Sequence, residues 1–344
     1  RQSGWRLSDW DQPTEHPLLP GPLDPEVGAV LDAIPRLDLR DLQRARTERI
    51  HLARAGQAGW QPPEGVEISE RQVPAGSRPR VRTFTPTRAP SHPDPTDHQP
   101  RPALVWLHGG GHVMGTVWQD DPRLCRWALD AGAVVVAVDW RWAPEHPYPA
   151  ALDDACAALR WCLAGADDLD IDPARVVVAG ASSGGGLAAG AALRYRDEGD
   201  PPLRAQVLIY PMLDDRGDTP SARTCTDPRV WNAESNSRAW AAYLSGWSRP
   251  IPGYAAPARA SDLTGLPPTW LATGALDLFR DEDLEYAARL LAAGVPTELH
   301  VYAGAVHGFD LFAPNAGVSV RFRAELDAAM RAALTADTGW ASLR

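Results

Sequence analysis

The sequence predicts an α/β protein with a mostly parallel central sheet that is covered by helices on both faces. Two observations support this prediction. From residue 103 onward, short apolar runs rich in β-branched residues alternate with helical stretches rich in Ala and Leu. The runs lack the regular polar positions of a half-exposed strand, which is typical of strands buried within a parallel sheet. Active sites of such sheets lie at the carboxyl ends of the strands, so we expect the functional residues there.

The elements follow one another in a regular order along the chain. The predicted strands cover residues 66–73, 80–85, 103–107, 133–138, 176–179, 205–209, 269–273 and 298–302. The predicted helices cover residues 38–46, 122–131, 150–164, 186–197, 237–246, 282–293 and 318–335. Six prolines between residues 86 and 102 predict an exposed loop without regular structure.

Two segments do not fit the alternation and predict a cap. Residues 1–60 are helical and loop-like, and residues 212–262 contain three tryptophans and one predicted helix. We interpret both segments as a cap over the active site of a catalytic domain that covers residues 61–344. The alternative interpretation is that residues 212–262 form a surface insertion that does not cover the active site.

The composition narrows the class of protein. A net charge of −10 disfavours nucleic acids and anionic membrane surfaces as partners. No apolar run approaches the roughly 18 residues that a membrane helix needs. The first thirty residues hold acidic residues and five prolines, unlike a signal peptide, although a leader before Arg1 stays open. Four cysteines without a Cys-x-x-Cys pair indicate buried free thiols, so we expect a cytoplasmic protein. The oligomeric state is open, with a homodimer as one alternative.

A candidate nucleophile lies at the end of a predicted strand. Residues 180–184 read Gly-Ala-Ser-Ser-Gly, directly after the apolar run at 176–179. A Gly-x-Ser-x-Gly pattern between a strand and a helix is typical of a serine nucleophile on a sharp turn. Ser182 is the candidate, because a pattern centred on Ser183 would need glycine where Ala181 stands. The alternative is a Gly-rich turn that only joins a strand to a helix. Whether a base and an acid accompany the serine distinguishes the two interpretations.

The nucleophile needs a base. A serine hydroxyl is a weak nucleophile unless a nearby group removes its proton, and that base is usually a histidine held by a carboxylate. In α/β-hydrolases the three groups follow one another along the chain in the order Ser, Asp or Glu, His. Only two histidines follow Ser182. His300 lies inside a predicted strand, whereas His307 lies in the loop after it, so His307 is the predicted base.

The acid should follow the preceding strand. Asp277 comes three residues after Gly274, where this predicted strand gives way to a loop, and is the predicted acid. Asp281 and Asp283 are rivals. Both begin the next predicted helix, where carboxylates favour the helix dipole and so have a sufficient structural reason to occur.

A glycine loop supplies candidate donors for an oxyanion. Residues 108–111 read His-Gly-Gly-Gly and follow the strand that ends at Leu107. The negative charge of a tetrahedral intermediate needs preorganised N–H groups, which glycines leave uncovered, and the N–H of Ser183 completes such a site. A phosphate loop would end in Gly-Lys-Ser/Thr, which is absent. His108 and His112 are four residues apart, but the intervening glycines oppose a helical zinc motif. We therefore predict neither a metal nor a cofactor.

Four blocks together resemble the hormone-sensitive-lipase-like esterases, known as family IV of the bacterial lipolytic enzymes. They are the segments at 108–111, 139–150 and 180–185, and Asp277 together with the His-Gly-Phe at 307–309. The second block reads Asp-Trp-Arg-Trp-Ala-Pro-Glu-His-Pro-Tyr-Pro-Ala and is similar to the family's Asp-Tyr-Arg-Leu-Ala-Pro-Glu-His-Pro-Phe-Pro-Ala. The resemblance implies an α/β-hydrolase fold, a two-part cap, a Ser-Asp-His triad and hydrolysis of short acyl esters. It also implies that Gly110 and Gly111 donate two of the oxyanion hydrogen bonds.

The chain departs from the family pattern near two site residues. The family usually has Gly-Asp-Ser-Ala-Gly-Gly around the nucleophile, where this chain has Ala181 and Ser183. A backbone N–H at 183 is still available, but the missing carboxylate at 181 puts the rigidity of the neighbouring loops and the pH optimum in doubt. Near the acid, the family's Asp-Pro is replaced by Asp277 and Leu278.

These observations predict a serine carboxylesterase that cleaves short-chain acyl esters through an acyl-enzyme. The same machinery also suits an amidase or a carbamate or lactone hydrolase, and a lipase acting at oil–water interfaces is a further alternative. A non-catalytic small-molecule receptor belongs to a different class. The plant gibberellin receptors resemble this family but lack the catalytic histidine, whereas His307 is present here.

Overall fold

The computed structural model describes residues 19, 21–74, 76–87, 100–165 and 169–335. Within these residues the strands are β1 (Val66–Gln72), β2 (Arg80–Pro86), β3 (Arg101–Leu107), β4 (Val134–Asp139), β5 (Ile171–Ala181), β6 (Ala205–Ile209), β7 (Thr269–Gly274) and β8 (Thr297–Tyr302). The α-helices are α1 (Pro25–Leu31), α2 (Leu42–Gly56), α3 (Asp121–Ala131), α4 (Ala150–Leu163), α5 (Ser183–Asp197), α6 (Pro220–Thr224), α7 (Ala233–Tyr243), α8 (Arg280–Ala292), α9 (Phe309–Phe312) and α10 (Gly317–Thr335). Most of the predicted proline-rich loop, residues 88–99, lies outside the described residues.

The strands form one sheet in the order β1-β2-β4-β3-β5-β6-β7-β8. β1 is antiparallel to β2, and β2 is antiparallel to β4, whereas every other neighbouring pair is parallel. The mostly parallel sheet that the alternating pattern predicts is therefore confirmed. The two antiparallel strands stand at one edge, and β3 and β5 stand at the centre.

Burial explains why the apolar runs identified the strands. Every residue of β6 and β7 is buried, and all of β3 is buried except its first residue. Helix α3 packs against α10, and α4 packs against α5, and both pairs also contact the sheet. Because helices shield these strands, apolar side chains are favoured on both of their faces.

Two predicted helices are shifted in the structure. The stretch predicted at 38–46 is α2, which begins only at Leu42, because the Asp41 side chain accepts the N–H of Arg44 and caps the helix there. Ala45 is the one buried residue of this helix, so its sequence lacks an apolar stripe that would mark its full length. The stretch predicted at 237–246 is α7, which begins earlier because Asn232 caps it through the N–H of Ser235.

The N-terminal segment docks beside the predicted site. The guanidinium of Arg46 on α2 donates to the carbonyl oxygens of Val113 and Ala143, at 2.8 and 3.0 Å, and forms two 2.7 Å hydrogen bonds with the carboxylate of Glu145. Arg46 therefore ties α2 to the chain just beyond the glycine loop. Within the described residues, no helix is both long and apolar enough to cross a membrane.

Candidate active site

Ser182 lies alone between the end of β5 and the start of α5. Its backbone has φ 57° and ψ −124°, a conformation that residues with a side chain rarely adopt. The surroundings hold this turn in place, because the Ser182 N–H donates to the carbonyl oxygen of Ile209 at 2.9 Å. Its carbonyl oxygen in turn accepts the N–H groups of Gly186 and Met212, each at 3.0 Å. Hydrogen bonds to both the N–H and the carbonyl oxygen of Ser182 therefore stabilise the strained turn.

The glycines of the pattern have a steric cause. A β-carbon on Gly180 would lie 2.2 Å from the carbonyl oxygen of Gly184, and one on Gly184 would lie 2.0 Å from the carbonyl oxygen of Leu107. Real β-carbons do not approach other atoms so closely. The strand, the turn and the helix can therefore close around Ser182 only with glycine at these two positions.

Ser182, His307 and Asp277 form one continuous chain of hydrogen bonds. Nε2 of His307 lies 2.9 Å from the Ser182 Oγ, and Nδ1 of His307 lies 2.8 Å from Oδ2 of Asp277. The other carboxylate oxygen of Asp277 accepts the N–H of Phe279 at 2.9 Å. Asp277 is fully buried, so its hydrogen bond to the imidazole is shielded from water. The three residues predicted as nucleophile, acid and base are thus brought together from the ends of β5, β7 and β8.

The rival residues make other contacts. Oδ2 of Asp281 accepts the N–H of Ser221 at 2.8 Å, and its other oxygen pairs with Arg280. The ring nitrogens of His300, on β8, each lie 3.6 Å from a carboxylate, those of Glu298 and Glu325. These pairs are structural and are not directed at the serine.

The carboxyl of Asp283, in the first turn of α8, is fully buried. Burial raises its pKa well above the usual range, and the carboxyl groups of Glu282 and Asp277 raise it further. Burial likewise raises the pKa of Glu282, whose Oε1 accepts the N–H groups of Leu213 and Asp214 at 2.7 and 3.0 Å. Glu282 therefore anchors the chain that leaves β6 next to the nucleophile.

The glycine loop lies against the nucleophile. A β-carbon on Gly109 would be 3.2 Å from Cβ of Ser182. The loop turns at Gly110, whose carbonyl oxygen accepts the N–H groups of Val113 and Met114. The N–H groups of Gly110, Gly111 and Ser183 donate no hydrogen bond to any described residue. All three N–H groups are available to an oxygen anion, and the N–H of Ser183 also has the positive end of the α5 dipole behind it.

His108 and His112 serve the packing of this loop. The His108 ring is fully buried and stacks on Trp140 with centroids 4.7 Å apart, and the His112 ring stacks on Tyr243 at 3.8 Å. Burial lowers the pKa of both imidazoles, that of His112 to about 3, so both are neutral at physiological pH. In the part of the chain that the structure describes, no group of three or more His, Cys, Asp or Glu residues could hold a metal ion.

Sequence reasoning missed a buried network beneath the base. The Tyr210 ring meets the His307 ring edge-on, with centroids 4.7 Å apart. Its hydroxyl donates to Oδ1 of Asp310 at 2.9 Å, and Arg123 pairs with the other oxygen of Asp310 at 2.5 Å. Tyr210 directly follows β6, whereas Arg123 lies on α3 and Asp310 on α9, and no spacing along the chain could have linked them.

Comparison with known proteins identifies relatives over most of the chain. A family model described as an alpha/beta hydrolase fold matches residues 104–311. The chain is 37% identical to esterase LipI of Mycobacterium tuberculosis (strain ATCC 25618 / H37Rv), over 83% of this chain and 88% of that protein. It is 36% identical to carboxylesterase NlhH of Mycobacterium tuberculosis (strain CDC 1551 / Oshkosh), over 85% of this chain and 90% of that protein. A solved structure of a bacterial heroin esterase superimposes with a TM-score of 0.85 at 41% identity, covering 94% of this chain and 100% of that one.

Proposed function

This chain belongs to the α/β-hydrolase family, and from that premise we propose that it is a serine carboxylesterase acting on short-chain acyl esters. The family match and the relatives confirm the predicted fold and the resemblance to the hormone-sensitive-lipase-like esterases. The observation that carries the proposal is the unbroken hydrogen-bond chain from Ser182 through His307 to the buried Asp277. The names of the relatives support an ester as the substrate.

In the proposed acylation, Nε2 of His307 takes the hydroxyl proton of Ser182 while Oγ forms a bond to the ester carbonyl carbon. The carbonyl electron pair moves onto its oxygen, and the N–H groups of Gly110, Gly111 and Ser183 stabilise that negative charge. When the intermediate collapses, the bond from carbon to the alcohol oxygen breaks. His307 gives its proton to the leaving oxygen, which completes the alcohol product.

Deacylation repeats these steps with water. Nε2 of His307 takes a proton from the water molecule as its oxygen attacks the acyl-enzyme carbonyl. The bond to Oγ then breaks, the carboxylic acid leaves, and Ser182 regains its proton from His307. Throughout the cycle Asp277 keeps the proton of the neutral imidazole on Nδ1 and stabilises the imidazolium when it forms.

A pair of neighbouring serines tests this proposal. We expect Ser182→Ala to lower kcat for p-nitrophenyl butyrate by about 10⁴–10⁶-fold, because it removes the nucleophile. Ser183→Ala is the matched control. The Ser183 hydroxyl is buried without a hydrogen-bond partner among the described residues, and only its backbone N–H is assigned a role. Near-native activity in Ser182→Ala, or an equal loss in Ser183→Ala, would reject the assignment.

The scissile bond is the second point to test. An amide, carbamate or lactone would meet the same nucleophile, base and oxyanion donors. A matched pair such as p-nitrophenyl butyrate and butyryl p-nitroanilide separates an esterase from an amidase, since leaving group and acyl chain are otherwise alike. The proposal predicts faster turnover of the ester.

We extend the proposal to the cap and to the cellular context. Residues 1–60 and 212–262 would cover the site, which the docking of Arg46 near the glycine loop supports; residues 1–18 and 20 lie outside the described residues. The cytoplasm is the proposed location, supported by four cysteines that are buried free thiols. The negative net charge supports a small-molecule substrate in preference to nucleic acid.

A further inference from the structure

Trp231 stands beside the candidate active site, and no step of the proposed reaction uses it. A β-carbon on Gly111 would lie 2.3 Å from Cη2 of Trp231, so the indole packs directly on the backbone of the glycine loop. The centroid of the indole lies 6.4 Å from that of the His307 ring. The indole therefore forms a wall shared by the oxyanion donors and the base.

The other edge of the indole faces the interior of the predicted cap. Its Nε1 donates to Oδ1 of Asn236 at 3.3 Å. Asn236 lines a cavity of about 490 Å³ together with Trp240 and residues 215–217. Trp231 therefore spans the distance from the glycine loop to the wall of this cavity.

The segment that carries Trp231 is held rigidly. The buried carboxylate of Asp227 accepts the backbone N–H of Arg229 at 2.9 Å and three hydrogen bonds from its guanidinium, at 3.0, 3.1 and 2.6 Å. Nδ2 of Asn232 donates to the carbonyl oxygen of Asp227 at 3.2 Å, and the thiol of Cys225 donates to the carbonyl oxygen of Trp231 at 3.5 Å. A wall fixed in this way can exclude a substrate group instead of moving aside for it.

The position of the Trp231 indole determines whether it contacts the alcohol half or the acyl half of the ester. The alcohol oxygen must reach Nε2 of His307 to receive its proton, whereas the acyl chain leaves the carbonyl carbon in another direction. A side chain beside both His307 and the oxyanion loop therefore borders the alcohol group. We propose that Trp231 limits the size of the alcohol half of the ester and separates that subsite from the cap cavity. This inference rests on the proposed esterase function.

Two substrate series and three variants test it. One series keeps the acetyl group and enlarges the alcohol from ethanol through benzyl alcohol to 2-naphthylmethanol; the other keeps ethanol and lengthens the acid from acetate to octanoate. Hydrolysis is followed by titration of the released acid for the wild type, Trp231→Ala and Trp231→Phe. Trp247→Ala is the control, since Trp247 is a tryptophan of residues 212–262 that packs on Tyr148, with ring centroids 4.8 Å apart.

We expect Trp231→Ala to raise kcat/KM for naphthylmethyl acetate relative to ethyl acetate by about 10- to 100-fold, the usual range for reshaping an apolar pocket. Trp231→Phe, which keeps most of the packing, should show a smaller rise, and Trp247→Ala none. An unchanged alcohol ratio in both Trp231 variants, or a larger change in the acyl series, would overturn the inference. Labelling of each variant with a fluorophosphonate keeps the two proposals apart. A labelled, active protein with unchanged selectivity contradicts only the role of Trp231, whereas an unlabelled, inactive wild type contradicts the esterase.

Discussion

Replacement of Asp277 by asparagine is a direct test of how the acid controls the base. One oxygen of Asp277 contacts Nδ1 of His307, and the other accepts the N–H of Phe279 at 2.9 Å. An asparagine would keep its carbonyl oxygen on that N–H, because its amide group would otherwise place two donors face to face. Its NH₂ group would then face Nδ1, which could accept this hydrogen bond only with the imidazole proton on Nε2. The protonated Nε2 could no longer take the proton of Ser182.

We expect Asp277→Asn to lower kcat by about 10⁴-fold, the loss that follows when the wrong tautomer is imposed on a triad histidine. This factor corresponds to about 5.5 kcal/mol of transition-state stabilisation. The assay is steady-state hydrolysis of p-nitrophenyl butyrate, with KM expected to change little. Urea unfolding of the same variant checks that the buried amide leaves the fold intact.

The rival acid supplies the control for this substitution. Asp281 binds the N–H of Ser221 and the guanidinium of Arg280, so Asp281→Asn should leave kcat within the same order of magnitude. The reasoning is refuted if folded Asp277→Asn keeps more than about a tenth of the wild-type kcat, since a wrong tautomer cannot support that rate. Equal losses in the two variants would also refute it.

Three further predictions concern stability. Gly184→Ala should unfold at much lower urea than the wild type, because its β-carbon would lie 2.0 Å from the Leu107 carbonyl oxygen. The pKa of His112 is lowered to about 3 by burial, so the unfolded chain binds a proton below about pH 6.5 that the folded chain does not. Stability should therefore fall by up to about 1.4 kcal/mol per pH unit between pH 6.5 and 3 from this residue, and urea titrations of His112→Phe across that range should show a shallower fall. Tyr210→Phe leaves the buried Asp310 with one hydrogen bond fewer, and a loss of about 1–3 kcal/mol is expected in urea unfolding.

The centre of the sheet could be predicted because strands such as β3, β6 and β7 are buried on both faces. Residues 205–209 are β6 as predicted, and the other predicted strands overlap observed ones. The largest difference is β5, which begins at Ile171, well before the predicted run at 176–179. Its first half includes Asp172 and Pro173 and is partly exposed, so it has no apolar run to mark it. Burial on both faces therefore marks the second half of β5 in the sequence, whereas its first half carries no apolar pattern.

The candidate site could be predicted because each residue has a local reason to be where it is. Ser182 is marked by its glycines, Asp277 follows the buried strand β7, and His307 follows β8, most of which is partly exposed. No local sequence pattern indicated the contacts of Trp231 and Tyr210, because these contacts join elements far apart in the chain. Composition could not separate Trp231 at the site from the tryptophans of the core, since both occur in apolar surroundings.

Mass spectrometry of the protein after reaction with a fluorophosphonate tests the central claim most directly. The reagent forms a bond only with a serine that a base activates, and peptide mapping shows which serine carries the phosphonyl group. We predict one adduct, on Ser182, with its formation slowed strongly in His307→Ala and abolished in Ser182→Ala. An adduct on another serine, or ester hydrolysis that continues without any adduct, would contradict the account.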